Sequence, residues 1–177
     1  MFAAKIQKSF LPPSVSNYKS VSAAWELISC DELAGDTLSV FDLDGRNIIF
    51  YVLDVSGHGV QAALLSVTLN RWLSPKSTSL KISNSPNDSD EKSVISPVEL
   101  LERLNKQFPI DPNTGQYFTI VYGMYDVESK EFCFVSAGHP KPVYLPKGGS
   151  PVMLQSNNFP IGVVPEPEFQ ETRVKME

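Results

Sequence analysis

A carboxylate at the end of an apolar segment is the first residue here that could do chemistry. Residues 48–53 are all apolar, which is typical of a strand buried on both faces, and Asp54 follows them directly. An unpartnered buried carboxylate is costly, so Asp54 should lie at an exposed strand end or be neutralised. Gly57 and Gly59 then allow a tight turn into a helical segment. This order favours a metal site, with capping of the helix by Asp54 as the alternative.

A second carboxylate stands in similar surroundings. The pair Gly35-Asp36 precedes the strand-like residues 37–41. Two carboxylates, each beside a glycine and a hydrophobic strand, could converge on hard cations, because such ions prefer oxygen ligands.

Composition limits the classes of protein and partner. The 177 residues fit one domain with a sizeable core, and the net charge of −5 argues against a nucleic-acid or anionic-membrane partner. The sequence contains no recognisable signal peptide or apolar membrane span. Cys30 and Cys133 are far apart and lack metal-type spacing, which favours buried thiols in a reducing cytoplasm.

The first residues predict a separate amphipathic helix. Phe2, Ile6 and Phe10 recur every four residues in segment 1–11, and Pro12-Pro13 ends the pattern. We interpret residues 1–13 as a linker or signalling helix that continues upstream in the parent protein. A short helix folded onto its own domain is the alternative.

The remaining pattern predicts a mixed α+β domain. A capping box at Ser96 with Pro97 marks one helix start, and Asp44-Gly45 marks a hairpin. Predicted strands cover residues 21–27, 37–43, 47–54, 116–125, 131–137, 142–145, 151–154 and 171–176, and helices cover 58–73 and 97–107. The first three strands suggest an antiparallel meander. The Ser-, Asn- and Pro-rich residues 74–96 predict a flexible insertion.

Five motifs then occur in a fixed order. They are Gly35-Asp36; Asp54-Val55-Ser56-Gly57-His58-Gly59 with Ala62-Ala63-Leu64; Tyr117-Phe118-Thr119 with Tyr122-Gly123; Ser136-Ala137-Gly138-His139-Pro140; and Ile161-Gly162-Val163. With this series the sequence resembles the bacterial PPM-type (PP2C-like) metal-dependent serine phosphatases of the SpoIIE/RsbU family. The resemblance covers nearly the whole chain.

The resemblance implies more about the fold than periodicity does. It implies a PP2C-like α-β-β-α four-layer sandwich, in which two antiparallel sheets are flanked by helices. Residues 14–177 would form the phosphatase domain. The family supplies further metal-binding aspartates from later strands, but no aspartate follows Ser136 here. The domain is therefore expected to be C-terminally incomplete and to lack the last metal-binding strands.

The resemblance also implies ligands and a reaction. Asp36 matches the first metal-binding aspartate, Asp54 matches the aspartate that bridges two Mn²⁺ or Mg²⁺ ions, and the carbonyl of Val55 matches a backbone ligand. The two ions would activate a water for attack on phosphorus. Departures from the family pattern at Ala34 and residues 37–39 loosen the match around Asp36. We therefore expect this chain to hold the ions poorly or not at all.

Residues at the edge of the site have alternative roles. His58, between Gly57 and Gly59, could contact a phosphate at a helix start or make a structural hydrogen bond. His139 is expected to shape a turn at the edge of the active site. A zinc site combining both histidines with the two cysteines has no supporting spacing.

The implied function is protein dephosphorylation in a cytoplasmic bacterial signalling pathway. The substrate would be a phosphoserine or phosphothreonine on a regulatory protein of the anti-anti-sigma type. An upstream sensory or receiver domain would control the enzyme, and the N-terminal helix could form a homodimer; no nucleic acid or membrane partner is expected. The alternatives are a degenerate phosphatase-like module that binds a regulatory protein without hydrolysis, and a dimerisation domain.

Overall fold

A central antiparallel sheet organises the part of the chain that the computed structural model describes, residues 2–18, 21–29, 33–75, 77 and 94–176. The elements are α1 (Phe2–Lys8), β1 (Val15–Tyr18), β2 (Val21–Ala24), β3 (Thr37–Asp42), β4 (Asn47–Val55), α2 (Gly59–Trp72), α3 (Pro97–Gln107), β5 (Phe118–Asp126), β6 (Glu131–Ala137), β7 (Val143–Tyr144), β8 (Val152–Met153) and β9 (Thr172–Lys175). The five strands of the central sheet lie in the order β3-β4-β5-β6-β9.

One face of the sheet carries the hydrophobic core. In β4, Ile49, Leu53 and Val55 alternate with outward residues and are fully buried. Helices α2 and α3 cover this face and contribute further buried leucines, such as Leu69 and Leu104. Burial of these side chains is the main force that fixes both helices on the sheet.

Helix α3 begins where the sequence predicts. The Ser96 hydroxyl accepts a hydrogen bond from the Glu99 N–H at 3.1 Å, and Pro97 lies in the first turn. The side chain thereby satisfies an amide that the helix itself leaves unpaired. The predicted N-cap at Ser96 is confirmed, while the Glu99 carboxylate accepts a hydrogen bond from Arg103.

The opposite face of the sheet is only partly covered. The β1–β2 hairpin lies along it, where the Tyr18 hydroxyl donates to the Val40 carbonyl at 2.8 Å. An apolar cavity of about 180 Å³ separates the hairpin from the sheet. Val52, which lines this cavity, is 45% exposed. The described residues thus form a helical layer, a five-stranded sheet and the beginning of a further layer.

The predicted meander is wrong in its first strand. Strand β2 pairs with β1 in a separate two-stranded sheet, whereas β3 pairs with β4. Alternating hydrophobicity reports that one face of a strand is buried, and it carries no information about the pairing partner.

Two apolar residues of the N-terminal segment do not pack on the domain. Ile6 and Phe10, which belong to its apolar stripe, are 45% and 38% exposed. The half-buried positions of this segment are Ala4, Gln7 and Leu11. A polar side chain therefore points from α1 towards the domain.

Two predictions fall largely outside the described residues. Most of the predicted insertion at 74–96 lies there, and so does Cys30. Among the residues that are described, no helix has both the length and the apolarity to cross a membrane.

Candidate metal centre

Strand register brings the two sequence-predicted aspartates together. Thr37 of β3 pairs with Leu53 of β4, so one step further along the same register Asp36 lies opposite Asp54. On its other side Asp54 pairs with Thr119 of β5. These three residues form a row across adjacent chain segments at one end of the sheet.

The two carboxyl groups interact electrostatically. Burial raises the pKa of Asp36, and a hydrogen bond that its protonated form donates to Asp54 raises it further, as does the negative charge of Asp54. The charge of His139 acts in the opposite direction. A carboxyl group whose ionisation is opposed by burial and by a neighbouring negative charge makes a place where a cation would be stabilised.

A glycine keeps a backbone carbonyl close to this pair. A Cβ atom added to Gly35 would lie 2.8 Å from the Val55 carbonyl oxygen and 3.4 Å from the Ala62 Cβ. Only glycine allows this approach without a shift of the backbone. The Val55 carbonyl, predicted as a ligand, therefore lies against the residue that precedes Asp36.

The turn after Asp54 is fixed by hydrogen bonds to β5. The Ser56 N–H donates to the Tyr117 carbonyl, and the Tyr117 N–H donates to the Ser56 hydroxyl, both at 2.9 Å. Gly57 and Gly59 adopt φ angles of 89° and 78°, which favour glycine.

His58, between these glycines, is the N-cap residue of α2 and is exposed. Its side chain makes no capping hydrogen bond. The alternative in which Asp54 caps the helix is therefore wrong, because the cap position lies four residues later.

His139 reaches the same end of the sheet from the segment after β6. Its Nδ1 atom lies 2.8 Å from the Thr119 hydroxyl, and its carbonyl accepts a hydrogen bond from the Ser136 hydroxyl at 3.0 Å. Burial lowers the pKa of His139, and the charge of Asp36 opposes this. Thr119 was not predicted as a site residue. Its position opposite Asp54 in the strand pairing identifies it, and the sequence alone does not show this pairing.

The donor set suits a hard divalent cation. Two carboxylates and a backbone carbonyl supply oxygen, which Mg²⁺ and Mn²⁺ prefer. The described residues contain no group of three or more His, Cys, Asp or Glu side chains that could hold a metal. Asp36, Asp54 and the Val55 carbonyl would suit Mg²⁺ or Mn²⁺ in the type of donor atom, and these two acidic side chains by themselves do not make up such a group.

Comparisons with known proteins agree with this architecture. The family model of stage II sporulation protein E (SpoIIE) matches residues 44–177. The chain is 27% identical over 175 residues to phosphoserine phosphatase RsbP of Bacillus subtilis (strain 168), covering 96% of this chain and 40% of RsbP. The chain thus spans less than half the length of the curated relatives that it matches.

Solved structures show the same fold. The PP2C phosphatase domain of SpoIIE from Bacillus subtilis, solved with a fragment of its regulatory domain, superposes with a TM-score of 0.64 at 19% identity, over 82% of this chain and 39% of that chain. RsbX, solved in complex with magnesium, superposes with a TM-score of 0.57 at 16% identity, over 82% of this chain and 62% of the RsbX chain. The fold is therefore that of the PP2C-like phosphatase domains. Since the family model matches most of the chain, this chain belongs to the SpoIIE family.

Proposed function

We propose that this chain is part of a metal-dependent protein serine/threonine phosphatase, in which Asp36 and Asp54 hold the catalytic metal. The observation that carries the proposal is the register that sets these two carboxylates side by side, next to the Val55 carbonyl. Membership of the SpoIIE family and the similarity to the phosphoserine phosphatase RsbP support the same reaction.

The protein groups have distinct roles in this proposal. Asp54 would be shared between two ions, Asp36 would bind one of them, and the Val55 carbonyl would complete this side of the site. When bound, Mg²⁺ or Mn²⁺ lowers the pKa of water and neutralises charge on a phosphoryl group. No nucleophilic side chain is required.

Residues around the two aspartates would orient the substrate. The exposed His58 lies at the start of α2, where the backbone amides favour an anion. Gly57 and Gly59 carry no side chains that would stand beside His58. Thr119 holds the His139 ring at the edge of the site. The phosphate group of the substrate would bind at the start of α2 beside His58.

The proposed substrate is a phosphoserine or phosphothreonine on a regulatory protein of the anti-anti-sigma type. RsbP, which matches 96% of this chain, is a phosphoserine phosphatase, and this favours a phosphoserine substrate. An upstream sensory domain, dimerisation through the N-terminal helix and a cytoplasmic location remain parts of the proposal.

The test is Mn²⁺-dependent phosphate release from a phosphoserine protein by the full-length protein. We expect Asp54→Asn to lower turnover by orders of magnitude, because it removes the charge that binds the metal ions. Asp111→Asn is the matched control, since Asp111 is an exposed turn residue whose carboxylate caps Asn113 and Thr114. This control should keep its activity.

Near-full activity of a folded Asp54→Asn variant would contradict the assignment. A folded wild-type protein that binds a regulatory protein without metal and releases no phosphate would instead favour the degenerate binding module. Circular dichroism of each variant separates these results from misfolding.

A further inference from the structure

A β-hairpin leaves the central sheet at the end that carries the candidate metal centre. Strand β6 ends there, and the β7–β8 hairpin follows within residues 139–158. This segment returns to the place where it begins. The Ser136 N–H donates to the Ser156 hydroxyl at 3.0 Å, and the Gly138 N–H donates to the Asn158 carbonyl at 2.9 Å. Both ends of the segment are therefore fixed at the edge of the site.

Further hydrogen bonds hold the base of the hairpin against the chain that leads into β9. The Gln170 N–H donates to the Asn158 side-chain oxygen, and the Thr172 hydroxyl donates to the Gln155 carbonyl, both at 2.7 Å. A surface on a fixed base loses little conformational entropy when a partner binds it. The hairpin is therefore suited to contact another molecule.

The apolar side chains of this hairpin are exposed. Val143, Leu145, Val152 and Met153, which we call the hairpin surface, are 50% to 65% exposed. Val143 and Met153 are cross-strand partners. Val152 and Met153 are neighbours in β8 and point to opposite faces, so both faces of the hairpin are open among the described residues. Exposed apolar side chains grouped in this way are typical of an interaction site.

The charge of this segment differs from that of the rest of the chain. Residues 132–165 contain Lys141 and Lys147 and no aspartate or glutamate, whereas the chain has 20 acidic residues and a net charge of −5. Lys147 is exposed in the hairpin turn, and Lys141 donates to the Gln155 side-chain oxygen at 2.7 Å. An acidic partner is therefore attracted to the hairpin and repelled by most of the remaining domain.

We propose that the hairpin surface docks the phosphoprotein substrate, through an acidic and partly apolar patch beside its phosphorylated residue. This inference rests on the proposed function, because it names how the same site selects its substrate. The hairpin leaves the sheet next to His139, so a protein seated on it lies beside the sheet end where Asp36 and Asp54 meet. A symmetric dimer through the hairpin would bring the same lysines of two copies together, which disfavours a second copy as the occupant.

The experiment compares two substrates of the full-length protein. One is a phosphoserine protein, and the other is p-nitrophenyl phosphate, which is too small to contact the hairpin from the site. Val143→Glu places a negative charge on the hairpin surface. We expect KM for the phosphoserine protein to rise about 10-fold, with kcat little changed, because docking contributes binding that the ground and transition states share. Both constants for p-nitrophenyl phosphate should stay at their wild-type values. An unchanged KM for the phosphoserine protein overturns the proposal.

Two matched variants separate charge from position. Val143→Lys introduces the opposite charge at the same place and should raise KM for the phosphoserine protein much less than Val143→Glu does. Val15→Glu is the positional control, since Val15 is 64% exposed and, like Val143, is the first residue of a two-stranded hairpin. It should keep the wild-type KM. Equal increases in KM for Val143→Glu and Val143→Lys contradict an acidic partner.

A second substitution decides if Val143→Glu does not fold. Lys147→Glu reverses the exposed charge in the hairpin turn, and Lys130→Glu makes the same change in the β5–β6 turn at the opposite end of the sheet. We expect only Lys147→Glu to raise KM for the phosphoserine protein, and equal KM values in the two variants overturn the proposal. Loss of self-association by Val143→Glu with an unchanged KM would identify a second copy as the occupant and would also overturn it.

The two proposals fail in different ways. A folded wild-type protein that releases phosphate from neither substrate contradicts the phosphatase assignment, while calorimetric binding of the phosphoserine protein to wild type and Val143→Glu still decides the docking role. Mn²⁺-dependent phosphate release with the same KM in wild type and folded Val143→Glu contradicts only the docking role.

Discussion

At the residue scale, the proposed metal centre depends on how closely two backbone segments approach each other. Asp36 and Asp54 would provide the charge, and Gly35 decides how closely the Asp36 segment approaches the Val55 carbonyl. The contact is backbone to backbone, so no flexible side chain can move aside to make room.

We expect Gly35→Ala to damage the site more than a change of one methyl group suggests. The added Cβ would lie 2.8 Å from the Val55 carbonyl oxygen, so the strand end must shift. Overpacking of this kind costs about 1 to 3 kcal/mol of unfolding free energy. Urea unfolding measures this loss, and Mn²⁺ calorimetry should show weaker binding.

Gly115→Ala provides the control for Gly35→Ala. Its Cβ would meet nothing within 4 Å, although the φ of 68° there favours glycine. This variant should lose some stability through strain and keep its Mn²⁺ affinity. Equal Mn²⁺ affinity in the two folded variants would show that the Gly35 contact does not shape the site.

At the element scale, buried and half-buried amide side chains join helices to the segments that carry the motifs. Gln7 and Asn70 do so around Asp36, and Asn105 of α3 does so around Gly162. The Asn105 side chain accepts from the Gly162 N–H at 2.8 Å and donates to the Val164 and Pro165 carbonyls. The segment it holds bridges to Phe118, the first residue of β5.

We expect Asn105→Ala to lower the free energy of unfolding by about 3 kcal/mol, because it leaves buried backbone groups without their partner. The Gly162 N–H is buried, and the loop around it packs on α3. Chemical denaturation measures the change. Lys106→Ala, at the exposed neighbouring position, should stay within about 0.5 kcal/mol of wild type. A similar small change for Asn105→Ala would show that these hydrogen bonds contribute little.

At the scale of the whole molecule, metal binding and stability are linked. A ligand that binds the folded state and not the unfolded one stabilises the fold by mass action. The two aspartates converge only after β3 and β4 have paired, so the unfolded chain has no comparable site.

We expect Mn²⁺ to raise the midpoint of thermal unfolding of the full-length protein. At a Mn²⁺ concentration of about 100 times Kd the gain is about 2.7 kcal/mol, which corresponds to about 5 to 10 °C for a domain of this size. Removal of the metal with EDTA should reverse the shift. Asp54→Asn should show no shift and Asp111→Asn the full one. A Mn²⁺-dependent shift that persists in Asp54→Asn would place the ion elsewhere.

Much of the fold and of the site followed from local sequence patterns. The helix start at Ser96, the hairpin at Asp44-Gly45 and the apolar β4 segment are short-range features, and each was found where it was predicted. The motif order was sufficient to predict a PP2C-like fold and family membership, and the comparisons confirm both. These features depend on backbone preferences and hydrophobic spacing, which a linear sequence records directly.

The tertiary structure decided what depends on residues far apart in the chain. The sequence, through its resemblance to the family, predicts Asp36, Asp54 and the carbonyl of Val55 as metal ligands, and this assignment stays a prediction. It could not show that β2 pairs with β1, that Thr119 lies opposite Asp54, or that Gln7 binds Ala34. Strand register and helix placement arise from packing across the whole core, so periodicity identifies the elements while only the folded chain selects their partners.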